Sequence, residues 1–349
     1  MLVISCFVSG TRIRTDRGEV AVEDIAVGDR VVTLQDGEEV LRTVTWVGHR
    51  CVDLATHNRP ELAAPVRVRV GAFADGLPHR DLLVSPDHCL FVDDTLVPAK
   101  LLVNDMTIVN DRAIRTVTYH HVELEQHAVL LAEGLPAESY RDSGNRAFFD
   151  DAVTTVLHPE FHVNAGHRCW EGACEKLASD PADVEPLWHR LAARAEALGH
   201  VRPALQTTTD ADLHVLADGR AIRPVAVTAG RHVFVLPAGA TSVRLASRFT
   251  IPADIAPYGD DRRRLGVAVS RITMRSDAGD VEIPADHPTL TRGWHAAERR
   301  GAVLWRWTDG DAVLPAETTA GPVTLEVQVS STATTYILRG EAMKQSNAA

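Results

Sequence analysis

The sequence predicts a mainly β protein, two β domains joined by a short helical connector, on three observations. Apolar and polar residues alternate with period two from Thr11 to about Ile114 and again from about residue 206. Asp-Gly, Arg-Gly and Gly-Asp pairs cut the first alternation into short runs, as tight turns between strands require. One stretch between these regions has helical spacing instead.

The first domain is expected over residues 1–145. Its runs are "GTRIRTDRGEVAVEDI", "GDRVVTLQDGEE", "RTVTWVGHRCV", "PVRVRVGAF" and "RDLLVSPDHCLFV", and the pair "TVTYHHVEL" and "HAVLLAEG" closes it near residue 140. The connector is expected over 146–205. In "PADVEPLWHRLAARAEALGH", Val184, Leu187, Leu191, Ala195 and Leu198 form one apolar stripe after an Asp180-Pro181 start, with a stop near Gly199. That stripe is expected to pack against a neighbouring domain. The third segment, 206–340, alternates again in "LHVLADG", "HVFVLPAGATSVRLASR", "LGVAVSRITMR", "AVLWRWTDGDAVL" and "VTLEVQVSS", which reads as a β-sandwich. The tail "EAMKQSNAA" has nothing to bury and is expected to fray.

Composition narrows the function. The 349 residues carry a formal charge of -11, so a nucleic-acid partner would have to bind against the overall field, and none is expected. Five cysteines, at 6, 51, 89, 169 and 174, are too few and odd in number for a disulfide scaffold. Cys51 and Cys89 read as core, and Cys169 with Cys174 as a loop disulfide or two plain thiols. No apolar run approaches the roughly 20 residues that span a bilayer, and "MLVIS" lacks a basic n-region. The expectation is a chain with no transmembrane segment or signal peptide, cytoplasmic or exported by an unrecognised route.

The stretch "SCFVSGTRIRT" raises the functional question. A lone cysteine at the edge of a β domain is usually a small buried hydrophobe. Here Cys6 precedes Gly10-Thr11 and the run "VEDIAVGDRVVT", and "LLVSPDHCLF" follows about 80 residues later. In that order these blocks resemble the Hint family, the autoprocessing module shared by inteins and hedgehog proteins, over roughly residues 6 to 145. "CFVSGTRIRT" is similar to the family's nucleophile block, and "VSPDHCLF" to its Thr-x-x-His block with Ser85 in place of Thr. "RDLLVSPDHCLF" and "LAEGLPAESY" resemble the bacterial Hint type.

The resemblance implies a horseshoe-like all-β fold and an N–S acyl shift. The Cys6 thiolate would attack the carbonyl of Ser5, giving a thioester. His88 would protonate the departing nitrogen, and Ser85 would bond the distorted amide. The substrate is then the chain's own N-terminal segment. An intein would end in His-Asn, but those positions fall near Glu138 and Ser139, so no splicing is expected. His49 aligns with the aspartate that activates the acceptor in hedgehog proteins and would serve as base toward water or another nucleophile. The enzyme class is single-turnover, cysteine-dependent self-cleavage; the alternative is a non-catalytic Hint scaffold in a surface or carbohydrate-binding protein.

His120, His121 and His127 invite a metal reading, but no His-Glu-x-x-His or paired Cys-x-x-Cys accompanies them, and neither metal nor cofactor is expected. His121 and His127 are kept as assistants to the autoprocessing site. In the second domain, "SRFTIPADIAPYGDDRRRLGVAVSRITM" and "LTRGWHAAERRGAVLWRWTDGDAVLP" resemble a β-sandwich appendage found in bacterial Hint proteins and beside some glycosyltransferases. The resemblance implies a binding role, with Trp294, Trp305, Trp307 and Asp309 as candidates for a carbohydrate, since indoles stack on sugar faces. The competing expectation for Trp305 and Trp307, two apart on a strand, is a shared core-facing side. Asp260, Arg262 and Arg264 are expected to form a salt-bridged turn.

Overall fold

The computed structural model describes residues 5–141, 174–178, 180–277, 279–315 and 321–338. Cys169, the tail from Glu341 and the first part of the expected connector lie outside them. The chain divides into two compact units, Met1–Pro203 with Pro257–Asp260, and Ala204–Ala256 with Asp261–Ala349. Both are mainly β.

The first unit is built on one 14-stranded sheet. Its order begins Ile108–Asn110, Val66–Val68, Leu82–Val84, Phe7–Val8, Thr116–Leu124, Glu38–Asp53 and Arg30–Gln35. It continues through Arg12–Thr15, Val129–Ala132, Leu135–Glu138, Cys89–Val92, Thr95–Pro98 and Lys176–Leu177, and the fourteenth strand, Gly18–Ala21, pairs with Arg12–Thr15 off this path. The short strand Phe7–Val8 therefore lies between two others, pairing Phe7 with Val84 on one side and with His120 on the other. Gly10, at φ +87°, lets the chain turn out of that strand toward Arg12–Thr15. Phe7, Ile13, Val66, Val84, Leu90, Val122 and Leu130 are among the side chains that make the core.

The helix is Pro181–Ala197, and Asp180 caps it by accepting the Ala182 N–H at 2.9 Å. It is not a free connector. Val184, Leu187 and Leu191 join the core of the first unit, and the Trp188 indole donates to the Val103 carbonyl at 2.8 Å. An apolar stripe on a single helix is buried most cheaply against the sheet nearest to it in sequence.

The second unit has a four-stranded and a seven-stranded sheet. Val215, Val243, Leu245 and Leu314 from the smaller share one core with Phe234, Val267, Ile272, Leu325 and Val327 from the larger. Cys89 is buried, as its alternating run suggests, but Cys51 is exposed because its face of the strand Glu38–Asp53 carries no cover there. The expected turn of Asp260, Arg262 and Arg264 is paired differently. Asp261 and Glu298 both hold Arg263 at 2.7 Å, Arg264 lies over the Phe249 ring, and Asp260 bonds Lys100.

Candidate functional site

Antiparallel register builds the site. Phe7 faces His120 and Val8 faces Tyr119, so the preceding residue, Cys6, falls opposite His121. Directly opposed residues share a face of the sheet, and the Cys6 Sγ accordingly lies 3.0 Å from Nε2 of His121. Both side chains are buried, at 0% and 1% exposure. Burial pushes the thiol well above its ordinary range, with Glu138 adding to the rise and Arg50 opposing it. Burial likewise pushes His121 down to about 3, helped by His88 and His120, while a hydrogen bond to the Ser5 backbone pulls the other way. The resting pair is therefore a neutral thiol beside a neutral imidazole. That imidazole also bonds the backbone of Ser5, the residue ahead of the Cys6 nitrogen.

The second strand partner supplies the other groups. In "SPDH" a proline follows Ser85, a turn arrangement in which its fixed φ is favourable, and the His88 N–H donates to the Ser85 carbonyl at 3.0 Å. The turn is tied to the nucleophile twice. The Cys6 N–H donates to Ser85 Oγ at 2.8 Å, and the Ser85 N–H donates to the Cys6 carbonyl at 2.9 Å. His88, 1% exposed, packs its ring 4.3 Å from that of Phe7. Tyr140 and Trp46 wall the other end, with Tyr140 at 4.4 Å from the His121 ring and Trp46 at 5.1 Å from Tyr140.

Cys6, Ser85 and His121 thus meet at one peptide bond, and His88 lies in the turn that carries Ser85, with its ring against Phe7. His49 is not with them. It pairs with His120 and stacks on it at 5.8 Å, which puts it on the face opposite Cys6. It lines a cavity of about 290 Å³ with Val22, Glu23, Val47, His120 and His121. The imidazole that meets the thiol is that of His121, because only alternate residues of a strand reach one face.

His127 also sits apart from the thiol, its Nε2 at 3.5 Å from Glu138 and its Nδ1 accepting the Cys174 N–H at 3.2 Å. Glu138 itself is only 4% exposed, and its Oε1 accepts the Cys89 N–H at 2.8 Å. The sequence singled out Glu138 only as a residue standing where an intein has another. The signal for it is local, a carboxylate that closes the short run "LPAES" next to the buried Ala137. Among the described residues no group of three or more histidines, cysteines or carboxylates is arranged to hold a metal ion.

In the second unit the tryptophans exchange their expected places. Trp294 is 8% exposed, belongs to the core, and donates its indole N–H to Val313 at 2.8 Å, so it has no free face for a sugar. Trp305 and Trp307 alternate with the buried Thr308, take the other face and stay outside the core. Trp305 donates to Glu298 at 3.1 Å, and Asp309 accepts the Asp311 N–H within its own turn.

The Cys6 backbone amide is thus strapped to Ser85, and one imidazole, His121, lies against its buried sulfur. Residues 5–144 match the family model described as Hint domain. Among solved structures, an intein-like domain from the bacterium Clostridium thermocellum aligns at 15% identity over 40% of this chain and 99% of its own, with a TM-score of 0.26. The MchDnaB-1 intein aligns at 16% identity over 38% and 98%, TM-score 0.26. The Ssp DnaB mini-intein variant M86 aligns at 14% identity over 41% and 99%, TM-score 0.28. No curated protein gives a significant match. No helix among the described residues is long and apolar enough to cross a membrane.

Proposed function

We propose that the N-terminal unit cleaves its own chain at the Ser5–Cys6 bond through a thioester. The observation that carries this reading is the convergence on that bond: the Cys6 N–H on Ser85 Oγ at 2.8 Å, Sγ on His121 Nε2 at 3.0 Å, and His121 on the Ser5 backbone.

The steps follow from these positions. Sγ attacks the Ser5 carbonyl carbon as the thiol proton passes to His121 Nε2. Because the bare thiol is held neutral by burial, transfer to the adjacent base during attack costs less than prior ionisation in a low-dielectric site. The Ser5–Cys6 amide bond breaks as the nitrogen takes a proton from His88, leaving a free α-amine on Cys6 and an acyl group on its sulfur. Water or another nucleophile then attacks the thioester carbon and returns the thiol. Glu138 and Ser139 stand where splicing needs His-Asn, so the reaction ends in release.

The test is intact-mass spectrometry of a fusion carrying a folded reporter ahead of Ser5, with and without dithiothreitol, beside Cys6→Ala. Thiol-accelerated reporter release that vanishes with Cys6 is expected. A fusion that stays whole in every condition overturns the proposal.

One observation favours the second reading, a scaffold whose second unit binds carbohydrate: Trp305 and Trp307 present two half-buried indoles on one face. Retarded migration of the protein in gels containing soluble polysaccharides, lost in Trp305→Ala with Trp307→Ala, would support it. Unchanged migration across neutral and acidic polysaccharides would remove it.

A further inference from the structure

Glu138 is the most conspicuous group that the steps above leave unused. Its carboxylate is almost wholly inside the protein, 4% exposed, on the strand Leu135–Glu138. One oxygen accepts the peptide N–H of Cys89, the residue that follows His88, at 2.8 Å; the other faces His127 Nε2 at 3.5 Å. His88 is itself pinned at both backbone atoms, its N–H on Ser85 and its carbonyl on the Ala99 N–H at 2.9 Å. Glu138 therefore closes the SPDH turn from the far side.

A charge is an expensive way to make those bonds. Taking a carboxylate out of water costs several kcal/mol after relaxation, and a glutamine oxygen would accept the same N–H. The charge nevertheless persists. Burial raises the Glu138 pKa, but the bond from His127, the neighbouring His88 and the Cys89 N–H together hold it down to about 2.

We infer that Glu138 is a positioning residue whose fixed negative charge keeps His88 able to hold the proton that the departing Cys6 nitrogen must receive. This rests on the self-cleavage reading. A buried imidazole loses its proton readily, because low dielectric penalises the charged ring. A carboxylate held on the peptide N–H of the next residue, Cys89, restores the balance without touching the reacting atoms. The same charge raises the Cys6 thiol, so it favours transfer within the site over early ionisation of sulfur. Among the described residues, the other titratable groups around this cluster include the buried Cys89 thiol, His127 at the carboxylate with Cys174 on its far nitrogen, His121, Tyr140 and Cys6 with Arg50, and Asp87 with Lys100 at 3.0 Å.

The experiment separates this inference from the cleavage reading. In full-length Cys6→Ala, which cannot form the thioester, the His88 ring is titrated by NMR, with the resonance assigned through His88→Gln. Adding Glu138→Gln is expected to move the His88 midpoint to lower pH by about one unit, and Glu138→Asp, which keeps the charge, to move it much less. A midpoint that Glu138→Gln leaves in place overturns the inference. In the cysteine-bearing fusion, Glu138→Gln is expected to draw the alkaline limb of the cleavage profile to lower pH by a similar amount. Cleavage with an unmoved limb also overturns it. A parent fusion that never cleaves counts against the self-cleavage reading, and the titration alone then decides the role of Glu138.

Discussion

Cys6 Sγ and His121 Nε2 lie 3.0 Å apart although 115 residues separate them in the chain. Neither carries charge at rest, since burial raises the thiol and lowers the imidazole. In the proposed cleavage this pair works by passing one proton from sulfur to nitrogen.

His121→Ala is expected to slow thioester formation by about 100-fold, within the range for removal of a positioned acid–base group. Anaerobic alkylation of the folded protein at pH 8 gives a second readout. Cys6 should label far more slowly than the exposed Cys51, and labelling at both sites at equal rates would contradict the buried neutral thiol.

Ser85→Ala removes the acceptor of the Cys6 N–H and leaves that buried donor unsatisfied, at a cost of about 1–3 kcal/mol. Denaturation by urea should show that loss. Ser85→Thr, which keeps the hydroxyl, should recover most of it.

Acid should destabilise the protein through His121. Its folded pKa, about 3, lies below the ordinary 6.5, so the unfolded chain binds a proton that the folded state refuses. The stability from neutral burial is complete above pH 6.5 and declines as pH falls from there toward 3, at up to about 1.4 kcal/mol per pH unit. Urea midpoints at pH 7 and pH 5 measure it. His121→Gln should flatten the difference, and an unchanged slope would assign the acid sensitivity to other groups.

The helix is part of the first unit, so Leu191→Ala should cost about 2–5 kcal/mol, as for other fully buried leucines. A purely connecting helix would lose a few tenths. Thermal unfolding followed by circular dichroism distinguishes the two.

Trp294→Ala should destabilise the second unit by about 3–5 kcal/mol, since it opens the core and orphans the Val313 carbonyl. Trp307→Ala, on the other face, should cost markedly less. Equal losses would place both indoles in one core.

Much of this was legible in the chain itself. Period-two alternation located the strands, as in Thr116–Leu124, because a strand with one buried face writes that pattern locally. Asp180-Pro181 marked the helix start for the same reason: a cap acts within one turn. Parity along "TYHHVEL" put His120 and His121 on opposite faces, and the order of the blocks brought Cys6, Ser85 and His88 together as candidates.

What local pattern could not supply is the identity of each face's partner. Whether His49 or His121 meets Cys6 depends on Phe7 pairing with His120 rather than with a neighbour, and a shift of one residue would reverse the answer. Trp294 and Trp305 differ in the same way, since a bulge between Trp294 and Ala297 resets which indole enters the core. The sequence by itself determined which residues can share a face; pairing between distant strands decided which face closes around the Ser5–Cys6 bond, because register is a property of two segments and neither one encodes it alone.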